Sequence, residues 1–251
     1  MKFRATVAYD GSAFYGFQSQ VGVRTVQGEL ERALTEIGGH EAGAGVIGAG
    51  RTDTGVHATG QVAAFSLEWR HPPVELARAV NHRLPADVAV LDVAECSETF
   101  HPRFSAVSRT YEYAIVIAEA HPLLSRYAWL VSRMPDLAAL QGAAKRLVGD
   151  ADFSAFGSAP SGEITRRQVL RAEWRSEDVK AGLGTWPAFK FTIEANAFLY
   201  RMVRRMVRTL MRAGNGELSA DDVSEILRSG DPQRVKGLAP AAGLCLVEVK
   251  Y

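Results

Sequence analysis

Cysteine is scarce. The 251 residues hold two, Cys96 and Cys245, too few for a disulfide framework and without the spacing of a zinc site. No apolar run approaches the roughly 18 residues of a membrane-spanning helix. The opening Met1-Lys2-Phe3-Arg4 begins no apolar leader, so neither export nor insertion is expected. Charge of one sign is also lacking: 29 Lys and Arg face 28 Asp and Glu. There is no strict repeat, low-complexity stretch or long linker. What remains is ordinary for a globular chain, 47% hydrophobic and 23% charged, which excludes disordered, collagenous and coiled-coil classes. A chain of this length buries most of its apolar surface without staples, as one large or two small domains. A cytoplasmic location is expected.

The charge is unevenly placed. Residues 1–100 hold eight Lys or Arg against twelve acids, and residues 101–251 hold twenty-one against sixteen. Arginine supplies 23 of the 29 basic residues. Arg makes bidentate contacts to phosphate and stacks on flat rings, although a GC-rich genome favours it too.

Apolar periodicity gives the elements. Phe3, Ala5, Val7 and Tyr9 alternate with polar residues as a half-buried strand over 2–9, broken by Asp10-Gly11-Ser12. Thr25 caps a helix over 26–37 with Val26, Leu30, Ala33, Leu34 and Ile37 on one face, stopped by Gly38-Gly39. A second helix starts at Pro73 and carries Leu76, Ala77, Val80 and Leu84, between strand-like runs at 60–67 and 88–94. A strand over 109–118, a helix from Asp136 to Val148, and a strand through Phe189, Phe191 and Ile193 follow. The spacing then predicts a helix over 198–212, a short one opened by Ser219-x-x-Asp222 and ended by Gly230, and a strand at 245–250. Strands outnumber clean βαβ units, so the expected class is α+β with a largely antiparallel sheet. The expected division is 1–104 and 105–251.

Three segments invite a chemical reading. Residues 43–48, GAGVIG, match G-x-G-x-x-G, but no strand precedes them and no helix opens on them, as a dinucleotide site requires. The next stretch, Gly48 to His57, has no helical or strand period and is a loop. It sets Arg51 and Asp53 two apart between glycines, an arrangement suited to holding an ionised Asp; an Asp that merely closes a turn is the plainer alternative. Asp53-Thr54-Gly55 is also the triplet of aspartic proteases. Those need two carboxylates sharing a proton, the chain has no second such triplet, and Arg51 favours permanent ionisation. His57 reads as structural.

The third segment is 198–212. Leu199, Met202, Val203, Met206, Val207 and Leu210 form one apolar helix face, with Arg201, Arg204, Arg205, Arg208 and Arg212 on the other. No acid lies between Ala195 and Gly216, so no i,i+4 partner neutralises these arginines. They either pair with acids elsewhere in the fold or face a polyanion such as a nucleic-acid backbone. The apolar face lacks the Trp and Phe anchors of a membrane-surface helix beyond Phe198.

GRTDTGVHATGQVAAF resembles the catalytic-loop motif of the tRNA pseudouridine synthase A family. The resemblance continues in order through AYDGSAFYGFQSQ (8–20), TVQGELERAL (25–34), NHRLPADVAV (81–90), FHPRFSAVSRTYEY (100–113), DFSAF (152–156), ANAFLYRMVRRMVRTL (195–210) and APAAGLCLVEVKY (239–251). It implies two mixed α/β halves sharing a largely antiparallel sheet with a cleft between them, and a homodimer. It implies isomerisation of uridine to pseudouridine in the anticodon arm of tRNA, at tRNA positions 38 to 40, with no metal and no organic cofactor. Residue by residue, Asp53 matches the catalytic nucleophile and Arg51 the arginine that helps to flip the base. Tyr111 matches the tyrosine on the target uracil, and Arg204 the arginine paired with the nucleophile. Arg201, Arg205, Arg208 and Arg212 would follow tRNA phosphates. The chain departs from the family pattern at Tyr200-Arg201, Arg208, Pro102 and Ala151, which bear on substrate contacts rather than on the reaction. A non-catalytic RNA-binding protein using the Arg face alone is the competing class.

Overall fold

The structure, a computed structural model, describes residues 1–38, 45–159, 162–182 and 184–251. Gly39 of the expected helix stop and Gly43-Ala44 of the GAGVIG stretch lie outside them. The chain is α+β and its strand pairing is mostly antiparallel. It divides into two compact units, Met1–Val107 with Cys245–Tyr251, and Ser108–Leu244.

The first unit begins with β1 (Lys2–Tyr9) and α1 (Val26–Gly38), followed by β2 (Ile47–Gly48) and β3 (His57–Ser66). Helix α2 (Pro73–Arg83) and β4 (Val88–Glu95) complete its first pass. β1 lies antiparallel between β3 and β4. The alternation expected there holds: Phe3, Ala5, Val7 and Tyr9 are all buried. Phe3 opposes Phe65, with ring centroids 6.0 Å apart. β3 starts three residues earlier than expected and is buried along nearly its whole length, so it has no polar face to reveal a period. In α1 the Thr25 hydroxyl accepts from Gly28 N, and Val26, Leu30, Ala33 and Leu34 turn inward. α2 ends at Arg83, leaving Leu84 beyond it.

The second unit runs through β5 (Ser108–Ile117), β6 (Trp129–Val131), α3 (Leu137–Lys145) and β7 (Gly149–Asp152). β8 (Arg166–Ala181), β9 (Gly184–Ala195), α4 (Met202–Gly214) and α5 (Ala220–Ser229) follow. β9 lies antiparallel between β5 and β8, β7 pairs with β8, and β6 runs parallel to β5. Asp136 caps α3, accepting from Ala138 N and Ala139 N. Ser219 and Asp222 form the expected capping box of α5.

The Arg-rich helix begins at Met202, not at 198. Arg201 has φ 60°, a left-handed conformation that no helix continues through. Leu199 N instead donates to Met202 Sδ at 3.4 Å, and Met202 N to Leu199 O at 3.1 Å. Leu199 is buried all the same, so the apolar period outruns the helix. The buried arc is also wider than one face, because Thr209, Met211 and Ala213 are enclosed as well where α4 packs on α3 and α5.

The chain then returns to the first unit. β10 (Leu244–Lys250) runs parallel to β3, Cys245 opposite His57 and Leu246 opposite Ala58. Val107 N donates to Lys250 O at 2.8 Å, and the Tyr251 hydroxyl to Pro102 O at 2.9 Å. Residues 245–251 thus belong with the first unit, although the division by sequence leaves them with the second.

Candidate functional site

The loop between β2 and β3 is pinned from both sides. Ala49 N donates to Val62 O at 2.8 Å, Val56 N to Asp53 O at 3.1 Å, and Gly55 N to Phe14 O at 3.3 Å. Phe17 N in turn donates to Thr52 O at 3.2 Å. Thr52 and Val56 are buried, whereas Arg51 is exposed and Asp53 half-exposed. The loop therefore turns Thr52 and Val56 inward and leaves Arg51, Asp53 and Thr54 toward the surface.

Beneath the loop is a closed polar network. The Tyr9 and Thr52 hydroxyls are 2.8 Å apart. The Gln61 side-chain amide donates to Gly50 O at 2.8 Å and reaches the Tyr9 hydroxyl at 3.5 Å, and its oxygen accepts from Val62 N. Burial pushes the Tyr9 phenol far above its ordinary range, so it stays a neutral hydroxyl able to share a proton with Thr52. Tyr9, Thr52, Gln61 and Val62 are all enclosed, where a satisfied network rigidifies its surroundings. Sequence reasoning missed Gln61 and Tyr9 as loop supports. A Gln inside an apolar run and a strand-end Tyr were the signals present.

The turn after β1 supplies the other wall. His57 Nδ1 accepts from Gly11 N at 3.1 Å and lies 3.3 Å from the Asp10 carboxylate, tying that turn to the head of β3. A Cβ on Gly11 would sit 2.0 Å from Val56 O. Gly16 has φ +93°, and a Cβ there would lie 2.7 Å from Thr52 O and 3.5 Å from the Asp53 carbonyl carbon. Two glycines thus let the 11–17 segment lie flat against the Asp53 loop.

The second unit carries the other candidates. Tyr111 and Tyr113 lie on one face of β5, two apart in an unbroken register with β9. Tyr111 is 8% exposed and meets the Phe198 ring edge-on, centroids 5.1 Å apart. Tyr113, its phenol pushed up by burial, donates to Pro240 O at 2.8 Å. Next to Pro240, Ala239 O accepts from Arg204 Nε at 2.9 Å, and Ala239 N donates to Arg204 O. The 239–240 segment therefore bridges Arg204 to the Tyr111 face of β5. Phe198, half-buried against Tyr111, joins it as a candidate that no motif reading assigned a role.

The arginines do not form a uniform stripe. Arg201 is exposed and stacks over the Tyr200 ring at 4.7 Å. Arg208 lies over Trp129 at 5.5 Å. Arg212, its side chain 15% exposed, donates from Nε to Glu217 at 3.1 Å. That acid lies five residues on, outside the i,i+4 window by which the helix reads as unneutralised.

Among the described residues no group of three or more His, Cys, Asp or Glu is placed to hold a metal ion. No helix among them is long and apolar enough to cross a membrane.

A family model described as tRNA pseudouridine synthase matches residues 5–105 and 143–251. A protein named tRNA pseudouridine synthase A from Limosilactobacillus fermentum is 40% identical over 258 residues, covering 100% of this chain and 96% of its own. One of the same name from Roseiflexus castenholzii is 40% identical over 248 residues, covering 98% and 88%. Another, from Azorhizobium caulinodans, is 39% identical over 259 residues, covering 100% and 94%.

Proposed function

The chain belongs to the tRNA pseudouridine synthase family, and from that premise we propose that it isomerises uridine to pseudouridine in the anticodon arm of tRNA, with Asp53 as the nucleophile. The reaction breaks the N1–C1′ bond, turns the uracil, rejoins it through C5 and releases the C5 proton. A stacked uridine has no room for this and must leave the helix, at a cost of roughly a few kcal/mol. Whether the carboxylate acts at C1′, through a glycal, or at C6, it must be held beside an extruded base.

The observation that carries the reading is the loop itself: Asp53 stands half-exposed between the buried Thr52 and Val56, on backbone bonded to Phe14 and Phe17. Arg51, exposed two residues away, fills the space of the extruded base with its planar guanidinium. The family resemblance assigns Tyr111 to the target uracil and gives Arg204 the role of the arginine that supports the charged carboxylate. Arg201, Arg205 and Arg208 follow phosphates, which position an RNA without reading its sequence; Arg212 is engaged by Glu217. We assign the working form to a homodimer, since one chain of this size spans little of a tRNA. No cofactor takes part in this scheme.

The test is tritium release from a tRNA transcript labelled at uridine C5. Wild type releases tritium, and Asp53→Asn loses at least about a thousandfold in rate with fold and tRNA affinity intact. Turnover by Asp53→Asn at a comparable rate removes Asp53 from the role. Absence of release by wild type from several tRNAs favours the non-catalytic RNA-binding class.

A further inference from the structure

Tyr15 sits where no motif assigns it a task. Its neighbours Phe14 and Phe17 are 1% and 3% exposed, while Tyr15 is 57% exposed. An aromatic ring left in water forgoes the stabilisation of burial, and here the backbone holding it is fixed on every side. Tyr15 N donates to Arg24 O at 2.9 Å, Val26 N to Gly16 O at 3.3 Å and Gln27 N to Phe17 O at 2.8 Å. The Gln20 side chain donates to Tyr15 O at 3.0 Å. Arg24 is itself immobilised, forked onto Asp87 at 2.7 and 2.8 Å, bonded to Glu29 at 2.7 Å, and laid over the Phe14 ring at 4.2 Å.

The segment so fixed is the wall of the Asp53 loop. Phe14 O takes Gly55 N, Phe17 N gives to Thr52 O, and Gly16 packs on the Asp53–Thr54 peptide. Tyr15 therefore stands one residue from the contact with Asp53, flanked by hydrogen bonds to both sides of it. Among the described residues nothing engages its hydroxyl.

We propose that Tyr15 is a stacking platform for an unpaired nucleobase beside the target uridine, holding the RNA loop while that uridine occupies the Asp53 site. This rests on the assignment of Asp53 as the reacting carboxylate. Removing a base from a stack uncovers the faces of its neighbours, and an aromatic ring restores the lost contact to any of the four bases. A ring carried on backbone already fixed before binding has only its own side-chain rotation to lose in doing so. Tyr15 would thus be a substrate-positioning residue, sensitive to ring removal and indifferent to loss of the hydroxyl.

The experiment uses the full chain carrying Asp53→Asn, with Tyr15 intact or changed to Phe, Leu or Ala. The probe is an anticodon-arm RNA with 2-aminopurine next to the target uridine. Fluorescence and affinity are read together, with product analysis and light scattering on the same samples. The expected result is quenching and affinity kept within twofold by Tyr15→Phe. Tyr15→Leu and Tyr15→Ala lose the quenching and bind about 5- to 100-fold more weakly, at unchanged melting temperature. Wild-type behaviour of the Leu variant overturns the proposal, as does an equal loss by the Phe and Leu variants, which would place the effect in the hydroxyl. A change of oligomeric mass without a change in RNA affinity overturns it in favour of a protein contact. Pseudouridine formed in the Asp53→Asn background sinks the nucleophile assignment separately, because quenching reports binding and not turnover.

Discussion

Gln61 is wholly enclosed, yet its amide contacts Gly50 O, the Tyr9 hydroxyl and Val62 N. Replacing it by Leu removes the donor to Gly50 O and the acceptor of Val62 N while Tyr9 keeps Thr52, at about 1–3 kcal/mol, and loosens the loop that carries Asp53. The expected outcome is a lower melting temperature together with a fall in kcat larger than the change in KM; unchanged single-turnover rates would show that the loop holds without it. Arg204 and Arg212 give a second contrast on one helix. Arg204 is tied to the segment that also receives Tyr113, whereas Arg212 closes an ion pair with Glu217. Arg204→Ala is expected to lower turnover by at least about tenfold, while Arg212→Ala leaves turnover nearly intact and costs up to about 1 kcal/mol of stability. Equal catalytic losses in a C5-tritium assay would refute a separate role for Arg204.

Each element's legibility followed from how evenly its burial alternates. β1 was visible because every second side chain is enclosed, and α5 because Ser219 and Asp222 satisfy each other's ends. Ser219→Ala breaks that box and is expected to cost about 1 kcal/mol, a fall of roughly 2–4 °C in a thermal melt. β8 had no such pattern. Of its sixteen residues only Val169, Ala172 and Trp174 are buried, and a register shift between Val169 and Arg171 breaks the period. Its pairing with β9, not its own side chains, makes it a strand. β7, Gly-Asp-Ala-Asp, is extended for the same reason. The start of α4 was misplaced because Leu199 keeps the apolar spacing while Arg201 turns left-handed. The Asp53 loop was legible as a loop and as a motif. Its supports were not, since Tyr9 and Phe14 come from one stretch and Gln61 from another some fifty residues on, and only the fold assembles them.

At the scale of the whole molecule, the near-zero net charge conceals a basic surplus in residues 101–251. Phosphate binding shows itself by salt dependence. If Arg201 and Arg205 each engage one phosphate, replacing either by Ala reduces the slope of log affinity against log salt concentration by about 1 and weakens all tRNAs alike. A slope identical to wild type would take that arginine off the phosphate path. The order of the units along the chain has a consequence of another kind. Residues 108–244 are contiguous and emerge from the ribosome before β10, which lies beside His57 and Ala58 at the head of β3. During synthesis the second unit can therefore reach its native form while the first waits, one strand short. The strand next to the Asp53 loop is laid down only after every arginine of α4 has been translated, so a nascent chain carries the whole of α4 before the head of β3, which follows that loop, has its parallel neighbour.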